Sequence, residues 1–113
     1  MARFKRESKY HARKCTLPTG ETFDSVKERD RYLELCLLQK AGQIEELKRQ
    51  VRFRLIPGQD DERPVDYYAD FMYTDCRTGE TVVEDVKGFK TPEYIIKRKL
   101  MKYLLHIKVV EIK

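Results

Sequence analysis

The spacing of apolar and polar positions changes several times along the chain, and each change marks an element. Leu33, Cys36, Leu37 and Ala41 recur at helical spacing until Gly42, a good C-terminal stop. Asp24 or Ser25 can cap the other end, with Glu28 near the third helical position to close a capping box, so a first helix is predicted over about 25–41. Ile44 and Leu47 lead to a strand around 51–56, where Val51, Phe53 and Leu55 alternate with Arg52 and Arg54 until Pro57-Gly58. After a charged loop over 59–63, Pro64 opens a second strand running to about Thr74. Asp75-Cys76-Arg77-Thr78-Gly79-Glu80 reads as a tight hairpin connection, with Gly79 free to take a positive φ, and a third strand, 81–87, returns from it. Gly88 and Pro92 punctuate the entry to a second helix over about 92–105, and the β-branched stretch 107–112 closes the chain as a strand. Upstream, Leu17-Pro18-Thr19-Gly20-Glu21 forms a turn. The order α-β-β-β-α-β, with no internal repeat, predicts a mixed α/β domain.

Composition narrows the function classes. At 113 residues there is room for one compact domain. No apolar run approaches the roughly 20 residues that a membrane-spanning helix needs. The start, Met1-Ala2-Arg3-Phe4-Lys5-Arg6, leads into more charge and not into the apolar core of a secretory signal, so a cytoplasmic protein is expected. Cys15, Cys36 and Cys76 are scattered and lie far from His11 and His106; that suits reduced thiols and carries no zinc-site spacing. The net charge of +5 belongs entirely to residues 1–14, which hold six Lys and Arg against Glu7. The expected organisation is a basic arm over 1–14 on a neutral domain over 15–113. Such an arm approaches a polyanion through counterion release, or serves only as a solubilising tail.

Candidate chemistry lies on the second and third strands. A two-residue spacing puts Asp85 and Lys87 on one face of a strand. If 76–79 form the hairpin loop, Asp75 faces Glu80, and the same register sets Asp70 opposite Asp85, Met72 opposite Val83 and Tyr68 opposite Lys87. Directly opposed carboxylates repel, and something must offset that repulsion. Mg²⁺, which takes one or two carboxylates and completes its octahedron with water and phosphate oxygens, would do so. Two carboxylates, a metal and an adjacent lysine make a phosphodiester hydrolysis centre, with Glu28 as a third acid if the first helix packs across the open end of the hairpin. An ordinary ion network, in which Lys87 or a nearby arginine neutralises both aspartates, accounts for the same residues. The acid-x-Lys triplet alone carries little weight in a chain that is 38% charged, since Glu46-Leu47-Lys48 and Glu111-Ile112-Lys113 also match.

Phe23-Asp24-Ser25-x-x-Glu28-x-x-x-Tyr32, then Ala69-Asp70-Phe71 and Val83-Glu84-Asp85-Val86-Lys87-Gly88, resemble the PD-(D/E)XK nuclease signature as it occurs in small phage and prophage proteins. The likeness covers most of the chain from Lys9 onward, including Lys9-Tyr10-His11-Ala12 and Leu55-Ile56-Pro57. It implies a restriction-endonuclease-like αβββαβ core, dependence on Mg²⁺ or Mn²⁺, and endonuclease action on DNA. It further implies that Asp70 and Asp85 bind metal, that Glu28 assists, and that Lys87 is catalytic. Ala69 stands where the superfamily's name has proline. Members include restriction enzymes, repair nucleases and Holliday-junction resolvases, so a structure-selective, phage-derived nuclease of recombination or DNA packaging, acting on branched DNA as a homodimer in a bacterial host, is the leading expectation. A non-catalytic nucleic-acid-binding module of the same fold is the alternative, and a small structural protein whose arm binds a partner is a third.

Lys9, Arg13, Lys90, Lys97 and Lys99 are the expected DNA contacts, each with a solvated helix face or arm as its plain alternative. Tyr67, Tyr68 and Tyr73 can stack on bases or pack in the core.

Overall fold

The computed structural model describes residues 14–113. The chain enters through a short hairpin, β1 (Cys15–Thr16) and β2 (Thr22–Phe23), closed by the 17–21 turn with Gly20 at a φ of 98°. Helix α1 (Val26–Lys40) follows, then β3 (Ile44–Ile56), β4 (Val65–Asp75), β5 (Thr81–Val86), helix α2 (Pro92–Leu105) and β6 (Val110–Ile112). The four long-range strands form one mixed sheet in the order β3-β4-β5-β6, antiparallel except for the parallel β5–β6 pair.

Local chemistry sets the helix ends. Ser25 caps α1, its Oγ accepting the Glu28 N–H at 3.1 Å. Glu28 reaches back to the Asp24 N–H at 3.3 Å, one residue further out than in the usual reciprocal box. Thr91 caps α2 in the same way with Pro92 beside it, and His106 ends that helix in the left-handed conformation.

The helices cover opposite faces of the sheet. Along β5, Val82 and Val86 join the cluster built on Leu35 and Phe71 under α1, while Val83 joins the cluster built on Tyr67, Ala69, Tyr94 and Met101 under α2. The hairpin register is the one expected from the loop: Met72 pairs with Val83, Phe71 with Glu84, and the Asp75 N–H donates to Glu80 O at 2.9 Å.

One feature of the sheet departs from the simple reading. Tyr67, Ala69, Phe71 and Tyr73 share one parity in β4 and are all buried, yet the first two pack under α2 and the last two under α1. The alternation therefore inverts between Ala69 and Phe71. The pairs Arg49–Phe71 and Val51–Ala69 leave Gln50 as the β3 neighbour at this point, with a φ of 50°. A left-handed backbone costs a non-glycine residue roughly 1–2 kcal/mol. β3 starts at Ile44 and not near Val51, and a second positive φ, at Glu46, accompanies a register shift between Glu45 and Lys48 that breaks its alternation.

Candidate active site

The inversion opens the sheet where four of the expected residues meet. The ladder between β4 and β5 stops at Phe71–Glu84, one position before Asp70 and Asp85. There the Val86 N–H donates to the Asp70 carboxylate at 2.8 Å, so a side chain takes the place of a ladder carbonyl. Asp85, the neighbour of Val86 in β5, lies close enough to Asp70 for that carboxyl to raise its pKa. It is 1% exposed. Its second oxygen accepts the Tyr67 hydroxyl and stands 3.6 Å from Lys87 Nζ.

Glu28 arrives from the first turn of α1, also buried. Gln50 bridges it to Asp70, its Nε2 lying 3.2 Å from Glu28 Oε2 and 3.2 Å from Asp70 Oδ1. The strained residue of β3 thus spans two carboxylates. Arg49, the next residue, lies flat on Phe23 at 3.9 Å, donates to Thr22 O at 2.7 Å and approaches Glu28 to 3.9 Å. Behind the pair, Lys87 Nζ sits 4.5 Å over the Tyr94 ring.

The position of α1 is fixed by a second, separate network. Glu84, next to Asp85 and on the opposite face, is 1% exposed and accepts two bonds from Arg31, at 2.8 and 2.6 Å, and one from the Tyr73 hydroxyl. Arg31 lies one turn beyond Glu28 on α1, so this bidentate clamp ties the acid-bearing turn to β5.

Electrostatics agree with the geometry. Burial, then the neighbouring Asp70, pushes the Asp85 carboxyl up to about 8. Burial, then the charge of Asp70, pushes Glu28 up to about 7. Lys87 and Arg49 lower the two values without cancelling the rise. Carboxylate oxygens are the donor type that a hard divalent cation takes. Asp70 and Asp85 meet the one- or two-carboxylate requirement of Mg²⁺; among the described residues no three His, Cys, Asp or Glu side chains gather closely enough on one point to hold an ion. Glu28 stands one amide away, behind Gln50.

Other expected contacts lie apart from this cluster. Lys90 pairs with Glu111 at 2.8 Å and Lys97 with Glu93 at 3.1 Å, while Lys99 is exposed. Glu111 also accepts from Tyr94 and Arg98, and these three donors hold its carboxyl at about 2. Lys9 and Arg13 fall outside the described residues. Tyr67 and Tyr73 are buried against carboxylates and do not face solvent, whereas Tyr68 is 54% exposed. Tyr68 was expected on the face of Asp85; the inversion of β4 gives that place to Tyr67. Cys15, Cys36 and Cys76 form no disulfide.

Gln50, Tyr94 and Arg49 are the members of the site that the sequence pattern does not single out, and Tyr67, expected to stack on bases or pack in the core, bonds Asp85 instead. The only sequence signal near them is the three-residue step from Ile44 to Leu47, which is out of phase with a flat strand.

The fold and the cluster define a mixed α/β domain with two helices on a four-stranded sheet, and a buried Asp85 with a half-buried Asp70 at the point where two strands part. The chain belongs to a family of proteins of unknown function (DUF1064), whose model matches residues 7–112. No curated protein and no solved structure matches it. No helix among the described residues is long and apolar enough to cross a membrane.

Proposed function

We propose that the chain is a Mg²⁺- or Mn²⁺-dependent DNA endonuclease of the PD-(D/E)XK type. The observation that carries this reading is the placing of Asp70, which accepts the Val86 N–H, next to a buried Asp85 that stands 3.6 Å from Lys87 Nζ, at the end of the β4–β5 ladder. Element order from α1 onward also supports it, since α-β-β-β-α-β with a mixed sheet is the core that the superfamily resemblance implies.

In this reading Asp70 and Asp85 hold the cation, with Glu28 beside them. A bound Mg²⁺ would polarise the phosphoryl oxygen and lower the pKa of a coordinated water. The protein's own groups do the rest. Tyr67 fixes the orientation of Asp85, and Val86 N–H and Gln50 fix that of Asp70. Lys87, partly exposed above Tyr94, orients the attacking water or stabilises charge developing on phosphorus. Glu28, with a carboxyl pushed up to about 7, can exchange a proton near neutral pH.

Branched DNA is the preferred substrate in this proposal and a symmetric dimer the acting form, as for junction resolvases. The test is incubation of the protein with a four-way junction and a linear duplex, with Mg²⁺, with Mn²⁺ and in chelator. Metal-dependent nicking, stronger on the junction, is expected. DNA bound but uncut under every condition would assign instead a binding module of the same fold.

A further inference from the structure

We propose that Arg52 and Tyr68 form a platform for an unpaired DNA nucleotide on the α1 side of the sheet, the side from which Glu28 reaches Asp70 through Gln50 and opposite the side on which Asp85 meets Tyr67; this rests on the nuclease reading and names where its substrate strand lies. Arg52 and Tyr68 are cross-strand partners in β3 and β4, so their side chains share a face of the sheet. Tyr67 and Ala69, on either side of Tyr68, pack under α2, so Tyr68 projects from the other face. Along β4, the residues packed under α1 are Phe71 and Tyr73, beyond the inversion. The result is a tyrosine ring 54% exposed in the middle of a central strand, two residues and about 7 Å along β4 from Asp70.

Charge matches an anionic strand. Arg52 is exposed, and among the described residues no carboxylate lies within ion-pair distance of it. Arg54, close enough to Tyr68 to feel its hydroxyl, is instead paired with Asp66 at 2.7 Å. One exposed guanidinium, which acts on Asp66 only from beyond ion-pair distance, and one exposed ring at adjacent positions offer a phosphate contact and a base-stacking surface, the two elements of sequence-tolerant single-strand binding. A duplex keeps its bases stacked inside and cannot use the ring. The platform therefore favours the unpaired nucleotides of a branch or flap.

The experiment is an anisotropy titration of a fluorescein-labelled oligothymidylate and of a matched duplex, in chelator so that nothing is cut. Wild type should bind the single strand more tightly, and Tyr68→Ala should weaken that binding about tenfold while leaving the melting temperature unchanged. Tyr68→Phe, which keeps the ring, should bind as wild type. Arg52→Ala should reduce the slope of log affinity against log salt by about 0.7. Tyr103→Ala, which removes a ring 78% exposed in the last turn of α2, should change nothing. Unchanged binding by Tyr68→Ala, an equal loss in Tyr103→Ala, or no preference of the wild type for single strand would overturn the platform. Metal-dependent cutting measured in parallel separates the two ideas: cutting with Tyr68→Ala unaffected removes the platform alone, and stacking at Tyr68 without cutting removes the nuclease alone.

Discussion

Replacing Asp85 by asparagine should stabilise the metal-free protein at neutral pH. Asp85 holds its proton up to about 8 in the fold, against 3.8 as its ordinary value. Between those limits the folded state keeps a proton that the unfolded chain has released. Stability is therefore fully present below about pH 4 and falls as pH rises toward 8, by about 1.4 kcal/mol per unit. At pH 7 roughly three units have been crossed, which bounds the penalty near 4 kcal/mol. Asparagine reproduces the protonated carboxyl's pattern, accepting from Tyr67 and offering a donor beside Asp70, and it has no charge to lose. Allowing for its own desolvation, a gain of about 2 kcal/mol remains, or roughly 10 °C in melting temperature for a domain of this size. Thermal unfolding of both proteins in chelator, from pH 5 to pH 8, measures it; the gain should shrink as pH falls. An ion network makes the opposite forecast, because Asp85→Asn then leaves Lys87 unpartnered. A variant less stable than wild type at pH 7 would refute the reasoning.

Lys87→Ala should cut DNA at least a hundredfold more slowly while binding metal as before, since it removes a transition-state contact and no ligand; single-turnover cleavage and calorimetry check the two halves. Arg31→Ala leaves buried Glu84 with Tyr73 alone and should cost about 3 kcal/mol, read as a lower melting temperature in chelator. Removing residues 1–8, which carry Arg3, Lys5 and Arg6, should weaken DNA binding and flatten the salt dependence of log affinity by two to three units, at about 0.9 per lost phosphate contact.

Much of this arrangement is legible in the sequence because local chemistry enforces it. Ser25 and Gly42 bound α1 as their types require, and the 76–79 loop fixes a register that carries Met72 to Val83 and Phe71 to Glu84, one pair short of Asp70 and Asp85. What escapes is the twist of the sheet. Strict alternation sets Tyr68, Asp70 and Met72 on one face of β4 and so leaves Tyr67, Ala69, Phe71 and Tyr73 together on the other. Which helix covers each is decided by the packing of α1 and α2, which lie far from them in sequence. Gln50 carries no mark of its positive φ, since an ordinary polar residue holds a conformation usually left to glycine. The first hairpin, only two residues per strand, is too short to show alternation. Lys90 and Lys97 looked free for phosphate because their partners, Glu111 and Glu93, are set by the fold of α2 against β6 and by the pitch of α2.

The central claim is that Asp70 and Asp85 together hold a divalent cation. Calorimetric titration of Mn²⁺ into wild type, Asp70→Asn and Asp85→Asn at pH 7.5 tests it directly. Binding by the wild type with release of a proton, and heat lost in both variants, is the predicted result. A wild type that gives no heat with Mn²⁺ or Mg²⁺, or variants that bind as well as it does, would contradict the account.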